Sequence, residues 1–159
     1  MGEIDELNRV QAINFFPGLI DDPLFKITSP KDVKYNCIAW AFGLHNDRWM
    51  QFDTTPRFDG VWYWWPVGVK LSPSISAYIE AFKTKGFDLC DTCELEVGFI
   101  KIALYRTRGT DNCSHASRQK LDGTWMSKLG PWHDIEHGTP YSIEGDRYGD
   151  VFCFMKNIR

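Results

Sequence analysis

Apolar residues recur at helical spacing over one stretch in the middle of the chain. They lie at i, i+3, i+4 and i+7 and predict one buried face of a helix: Ile75, Tyr78, Ile79 and Phe82. Ser72-Pro73 is expected to supply the N-cap and the first helical position, and Gly86 to end the helix. A shorter helix is predicted over residues 4–13, where apolar residues are spaced alike.

From Phe87 onward the pattern changes to the alternation and the β-branched or aromatic content that are typical of strands. Five strands are predicted: 87–90, 99–105, 114–119, 124–129 and one from Tyr148 or Val151 to Met155. Asp122-Gly123, between the third and fourth strands, is a hairpin signal. The stretch 134–139 is interpreted as a turn or a short helical piece.

This order of elements predicts an α+β fold, with N-terminal helices packed on one face of an antiparallel sheet of four to six strands. The 159 residues fit a single domain that spans 1–159. Within it, residues 1–33 are expected to be a lead-in segment that wraps the domain. Residues 34–86 are expected to form a helical half and residues 87–159 the sheet.

The composition narrows the class of partner. The formal net charge is −3 and no basic run is present, so nucleic acid and membrane surfaces are not expected partners. No apolar run is long enough to span a membrane. The charged N-terminus lacks the pattern of a secretory signal, which predicts a cytoplasmic protein or one exported by a signal-peptide-independent secretion system.

A cysteine in the sequence Tyr35-Asn36-Cys37-Ile38-Ala39-Trp40 stands where a helix is expected to begin. Asn36 is a preferred N-cap residue, so Cys37 is predicted in the first turn. There the unpaired N–H groups and the helix dipole stabilise a thiolate and lower the thiol pKa. Cys37 is therefore a candidate nucleophile, and the alternative is a small buried apolar residue.

The five cysteines, an odd number, are expected as free thiols in a reducing compartment. Cys90 and Cys93 have C-x-x-C spacing, and with Cys113 and His115 they would complete a four-ligand zinc site. The C-x-H spacing of the second pair is unusual for structural zinc, so the preferred expectation is no metal and no cofactor. A thioredoxin-like role is opposed by the acidic residues beside the C-x-x-C pair.

A cysteine nucleophile needs a base that accepts its proton, and His115 is the preferred candidate among the four histidines. It opens a predicted strand after a turn rich in Gly, Asp and Asn, and a strand holds a side chain more rigidly than a loop. The alternative for His115 is a core histidine whose hydrogen bonds are satisfied.

A cysteine at a helix N-terminus, followed by a histidine that opens a strand, resembles the papain-like NlpC-type cysteine peptidases in order and spacing. The resemblance implies their fold and a third polar residue on the strand after the histidine strand. Ser127 matches that position, and Asp134 or His137 would serve if the chain curls back. Asp134 is favoured, because a carboxylate stabilises imidazolium better than a hydroxyl does.

The chain is also similar, over much of its length, to an uncharacterised family of bacterial proteins with no assigned activity. The motifs that carry this likeness are NCIAWA at 36–41, HASRQ at 115–119, DG at 122–123, WMSKLG at 125–130, DIEH at 134–137 and EGDRYG at 144–149. This second resemblance implies no function.

Candidates for substrate binding are Tyr35, Asn36, Trp40, Trp64, Arg118 and Lys128. The Asn36 side chain or the Tyr35 hydroxyl could complete an oxyanion site with the backbone N–H of the nucleophile. Trp64 lies in an aromatic run that is either core or a platform lining a cleft. Arg118 and Lys128 are expected on neighbouring strands, where they would hold an acidic substrate group or pair with surface carboxylates.

These residues predict a cysteine-dependent hydrolase or acyl transferase, such as an amidase, peptidase or deamidase, that uses Cys37 and His115. Its expected partner is a peptide or another amide, in peptidoglycan or a protein side chain, and a toxin effector of this kind would have a cognate inhibitor protein. The alternative is a non-catalytic protein-binding domain, an adaptor or toxin-neutralising protein, that docks a partner on the aromatic run from Trp62 to Trp65.

Overall fold

The computed structural model describes residues 3–29, 48–49, 63–64, 66–70, 72–129 and 134–159. Two α-helices lie within these residues, α1 (Glu3–Phe15) and α2 (Ile75–Lys83). The strands are β1 (Lys26–Ser29), β2 (Arg48–Trp49), β3 (Tyr63–Trp64), β4 (Asp88–Cys90), β5 (Phe99–Arg106), β6 (Cys113–Gln119), β7 (Trp125–Lys128), β8 (Asp134–His137) and β9 (Asp150–Ile158). Short 3-10 helices span Pro17–Asp21 and Pro140–Ile143.

Seven of the described strands form one antiparallel sheet in the order β1-β8-β7-β6-β5-β9-β4. β5, β6, β7 and β8 pair consecutively as an antiparallel meander. β1 closes the sheet beside β8, and β4 closes the opposite edge beside β9. β2 and β3 pair in parallel as a separate ladder.

Each face of the sheet carries a packed layer, because side chains alternate between the faces along a strand. α2 packs on one face, in a buried cluster that includes Tyr78, Phe82 and Leu104. The end of α1 and the 3-10 helix after it pack on the other face, in a cluster that includes Phe16 and Tyr105. The two α-helices therefore lie on opposite sides of the sheet.

The expected papain-like α+β fold is wrong. The described residues form mostly antiparallel sheet, and their two helices are short and lie on opposite faces instead of together on one. The sheet has seven strands, more than expected, because β1 and β8 come from stretches that carry no strand pattern. The fold is therefore more β-rich than the helices-first order of the sequence suggests.

The turn or helical piece expected over 134–139 is also wrong, because residues 134–137 form β8. Asp134 and Glu136 give this strand little apolar character, and lysines on the neighbouring strands compensate them. The Lys128 Nζ lies 3.6 Å from Asp134 Oδ1, and the Lys26 Nζ lies 3.2 Å from Glu136 Oε2. Cross-strand charge pairs stabilise the pairing here in place of apolar contacts.

The helix predicted around Ile75 to Phe82 is confirmed, but its N-cap is Ser74. The Ser74 Oγ accepts a hydrogen bond from the Ala77 N–H at 3.2 Å. Ser72 instead accepts from the Ser74 N–H at 3.2 Å, which fixes the turn before the helix. Ser74 is therefore the capping residue, and the next serine, Ser76, is exposed.

Ser74→Ala is expected to lower the free energy of unfolding by about 1 kcal/mol, because the Ala77 N–H loses its acceptor. Ser76→Ala is the matched control in the same turn, and its effect should stay below about 0.5 kcal/mol. Urea denaturation followed by circular dichroism measures both changes. Equal losses in the two variants would contradict a capping role for Ser74.

Candidate functional site

His115 lies in the interior, and none of its surface is exposed to solvent. β6 places it opposite Tyr105 of β5, on the face of the sheet that α1 covers. The Tyr148 ring stacks on the imidazole with ring centroids 4.0 Å apart and an interplanar angle of 7°. The Tyr105 ring lies 5.2 Å away. Among the described residues, neither nitrogen of His115 has a hydrogen-bond partner.

These surroundings favour the neutral imidazole. Burial, with a smaller contribution from nearby His137, holds the pKa of His115 well below its ordinary value. A neutral imidazole has one donor and one acceptor nitrogen, and leaving such a buried group without a partner costs about 1–3 kcal/mol. Groups of this kind are rare in folded proteins, and each one calls for a structural or functional explanation.

A second buried histidine on the same face, His137, has both nitrogens satisfied. Its Nδ1 lies 2.7 Å from the Thr139 carbonyl oxygen and its Nε2 lies 2.8 Å from the Ser127 Oγ. A carbonyl can only accept, so the proton sits on Nδ1 and the Ser127 hydroxyl donates to Nε2. Burial lowers the pKa of His137 to about 4, although the Thr139 carbonyl and Asp22 oppose this shift.

Ser127, one of the three expected third residues, lies on the same face of the sheet as His115 and His137. The register pairs Arg118 with Met126, which puts Ser127 on the side of Ser117 and His115. Its hydroxyl is engaged by His137. The sequence predicts that Ser127 is a polar strand residue, but it does not predict His137 as its hydrogen-bond partner. His137 lies on this face because residues 134–137 form a strand, which their sequence pattern does not indicate.

Asp134, the favoured third residue, lies on the opposite face from His115. β8 pairs it with Lys128 of β7, whose side chain is fully buried, and the two charges are 3.6 Å apart. Arg118 shares this face and is half-buried, and burial lowers its pKa. The lysine and the carboxylate therefore pair in the interior instead of at the surface.

The four candidate zinc ligands do not come together. A bulge between Tyr105 and Arg106 shifts the register, so that Cys113 packs in the α2 layer while His115 lies against Tyr105. Cys90 belongs to the other layer, and burial raises the pKa of its thiol. Within the described ranges, no three Cys, His, Asp or Glu residues are placed to hold a metal ion.

The proposed nucleophile and several substrate-binding candidates lie outside the described residues: Cys37, Tyr35, Asn36 and Trp40. Trp64 lies in β3, which pairs with β2. Their roles therefore remain predictions from the sequence. The described half of the site is the strand histidine and the aromatic rings around it.

Sequence reasoning missed two residues that shape this region. Tyr148 lies within the turn between Gly145 and Gly149, two glycines with positive φ that exchange backbone hydrogen bonds. The Asp22 carboxylate accepts hydrogen bonds from the Leu24 and Gly138 N–H groups and from the Ser142 hydroxyl. The two glycines on either side of Tyr148 are the sequence signal for this turn. No local signal indicates that the Asp22 carboxylate accepts a hydrogen bond from the distant Gly138 N–H.

An antiparallel sheet with a helical layer on each face and a buried histidine on its central strands defines a β-rich domain. The chain belongs to the family described as domain of unknown function DUF7689, whose profile matches residues 26–156. No curated protein and no solved structure shows significant similarity to the chain. Neither described helix is long and apolar enough to cross a membrane.

Proposed function

We propose that the protein is a cysteine-dependent hydrolase or acyl transferase in which Cys37 is the nucleophile and His115 is the base. The observation that supports His115 in this role is its buried imidazole, with both nitrogens unbonded among the described residues. His137 provides the comparison within the same layer, because both of its nitrogens are hydrogen-bonded, as expected of a structural histidine.

The proposed reaction begins when the Cys37 thiol transfers its proton to His115. The thiolate attacks the carbonyl carbon of an amide or thioester, and the bond to the leaving nitrogen or sulfur breaks as His115 returns the proton to it. Water or a second acceptor then attacks the acyl thioester, and Cys37 leaves as the thiol. A thiolate beside His115 would raise the pKa of the imidazole and so oppose the effect of burial.

The ring contacts suggest how His115 would be oriented. A catalytic imidazole needs a fixed plane, and a third polar residue usually supplies it. Here the parallel Tyr148 ring, with centroids 4.0 Å apart, restricts that plane by stacking. Asp134 is paired on the other face, so stacking replaces a carboxylate in this proposal.

The proposed substrate is a peptide or another amide, in peptidoglycan or in a protein side chain. The alternative is a non-catalytic protein-binding domain, and one observation favours it. His115 has no exposed surface, whereas a base must come within hydrogen-bond reach of the reacting group. The reactivity of Cys37 separates the two functions.

At pH 6, iodoacetamide is expected to modify Cys37 ahead of the other four thiols. His115→Gln should abolish this preference, because without the base the Cys37 pKa returns toward about 8.5. Cys153 is an internal reference, since burial raises the pKa of its thiol to about 12. His137→Gln is the matched control and should leave the preference for Cys37 intact. Slow, equal modification of all five thiols would contradict the enzyme proposal and support the protein-binding domain.

A further inference from the structure

The Tyr148 ring that stacks on His115 also stacks on Phe16, at the end of α1. The Phe16 and Tyr148 centroids are 5.1 Å apart with an interplanar angle of 28°. Phe16 is itself buried, and Phe15 beside it receives the Arg147 guanidinium at 3.6 Å from its ring centroid. Residues 3–25, the cover segment, thus hold the tyrosine that lies against the histidine.

The cover segment is attached to the sheet region through Asp22. One carboxylate oxygen accepts from the Gly138 N–H at 2.7 Å and from the Ser142 hydroxyl at 2.6 Å. The other accepts from the Leu24 N–H at 2.9 Å. Burial raises the pKa of Asp22, but these hydrogen bonds outweigh it and leave the pKa below its usual range, so the carboxylate is charged at neutral pH.

The helix α1 itself makes few buried contacts, whereas Leu19 and Phe25 after it belong to the buried core. Within the part of α1 whose side chains are described, Val10, Gln11 and Asn14 are exposed, and Ala12 is buried. Packing is therefore concentrated at the end of the helix and in the turn after it. Segments with few buried contacts open at a lower free energy than the core of a domain does.

The family match adds an independent observation. It begins at residue 26 and ends at residue 156, so it includes the sheet up to the last two residues of β9 and leaves the cover segment outside. The sheet, His115 and Tyr148 thus belong to the family domain. The Phe16 and Asp22 contacts, by contrast, come from residues that the family profile does not match.

We propose that the cover segment is an autoinhibitory lid, which hides His115 in the closed state and exposes it when the Asp22 and Phe16 contacts break. This inference rests on the proposed role of His115. Opening is favoured by the two imidazole nitrogens, which lack partners in the closed state and gain water or substrate in the open one. The loss of the Asp22 contacts and the exposure of Phe16, Leu19 and Phe25 oppose it.

The test uses the full chain and two readouts that need no enzymatic activity. Hydrogen exchange reports opening of residues 3–25, and modification of His115 by diethylpyrocarbonate, located by mass spectrometry at pH 7, reports its exposure. Asp22→Ala should speed both by about tenfold or more, because three donors lose their acceptor. Amides of β5 and β9 should keep their protection.

Asp21→Ala is the matched control, since Asp21 precedes Asp22 directly and is exposed at the end of the 3-10 helix, and it should change neither rate. Arg147→Ala is a milder second variant that removes only the contact with Phe15, and a severalfold increase is expected. Unchanged rates in both test variants would overturn the proposal, as would loss of protection in β5 and β9 together with residues 3–25. Failure of Cys37 labelling leaves these results untouched, so the lid and the enzyme proposals fail separately.

Discussion

Acidification from pH 6.5 to pH 4 is expected to lower the free energy of unfolding steeply, by up to about 2.7 kcal/mol per pH unit. Two histidines cause this, because His115 and His137 are buried in neutral form with depressed pKa values, that of His137 at about 4. The unfolded chain protonates both near pH 6.5, so below that value it binds more protons than the folded state. Stability is therefore present above pH 6.5 and is lost as the pH falls.

His115→Phe separates the two contributions, because phenylalanine keeps the stacking on Tyr148 and removes the titrating nitrogens. Its pH slope should be about half that of the unmodified protein. Asp22 does not affect this comparison. The pKa of its carboxyl is lowered in the folded state, so its contribution to the free energy of unfolding is lost only as the pH falls below about 3.8. Urea denaturation at pH 7, 6 and 5 gives the slopes. Identical slopes in the two proteins would mean that His115 is not buried neutral.

Asp134→Ala is expected to destabilise the fold by about 3–5 kcal/mol, because it leaves the fully buried Lys128 ammonium without its carboxylate. Lys26→Met is the control on the other side of β8: Lys26 of β1 contacts Glu136 at 3.2 Å, but its side chain is 64% exposed, and a surface pair contributes about 0–1 kcal/mol. Urea denaturation at pH 7 compares them.

The double variant Asp134→Leu with Lys128→Met should recover most of that loss, because two apolar side chains replace two buried charges. A loss below 1 kcal/mol for Asp134→Ala, similar to that of the control, would contradict burial of the pair. It would instead support the surface pairing that strand position alone suggests.

The elements that sequence pattern predicts well are those whose signals are local. β5 is an apolar run that begins after Gly98, Asp122-Gly123 sets the hairpin before β7, and α2 has one apolar face between a serine cap and Gly86. β8 was missed, because its strand character depends on lysines of β1 and β7 that are distant in sequence. The helices were expected on one face, but sequence periodicity does not specify which face of a sheet a helix covers.

The candidate site likewise has features that local sequence predicts and features that depend on residues distant in the chain. That a strand carries His115 was predictable from the turn before it, and that prediction is confirmed. Its burial was not, because it depends on Tyr148 and Phe16, which come from the two ends of the chain. The sequence also does not indicate that Cys113 and His115 lie in different layers, because a single bulge opposite Arg106 places the cysteine in the other layer.

Transfer of an acyl group to Cys37 tests the central proposal most directly. A small acetyl thioester reacts with thiolates in preference to amines, and the acetylated residue is identified by peptide mass spectrometry. The proposal predicts one acetyl group on Cys37 at pH 7, slow hydrolysis of that adduct, and loss of both steps in His115→Gln with the folded state retained. Acetylation spread over the cysteines at equal rates, unchanged in His115→Gln, would contradict it.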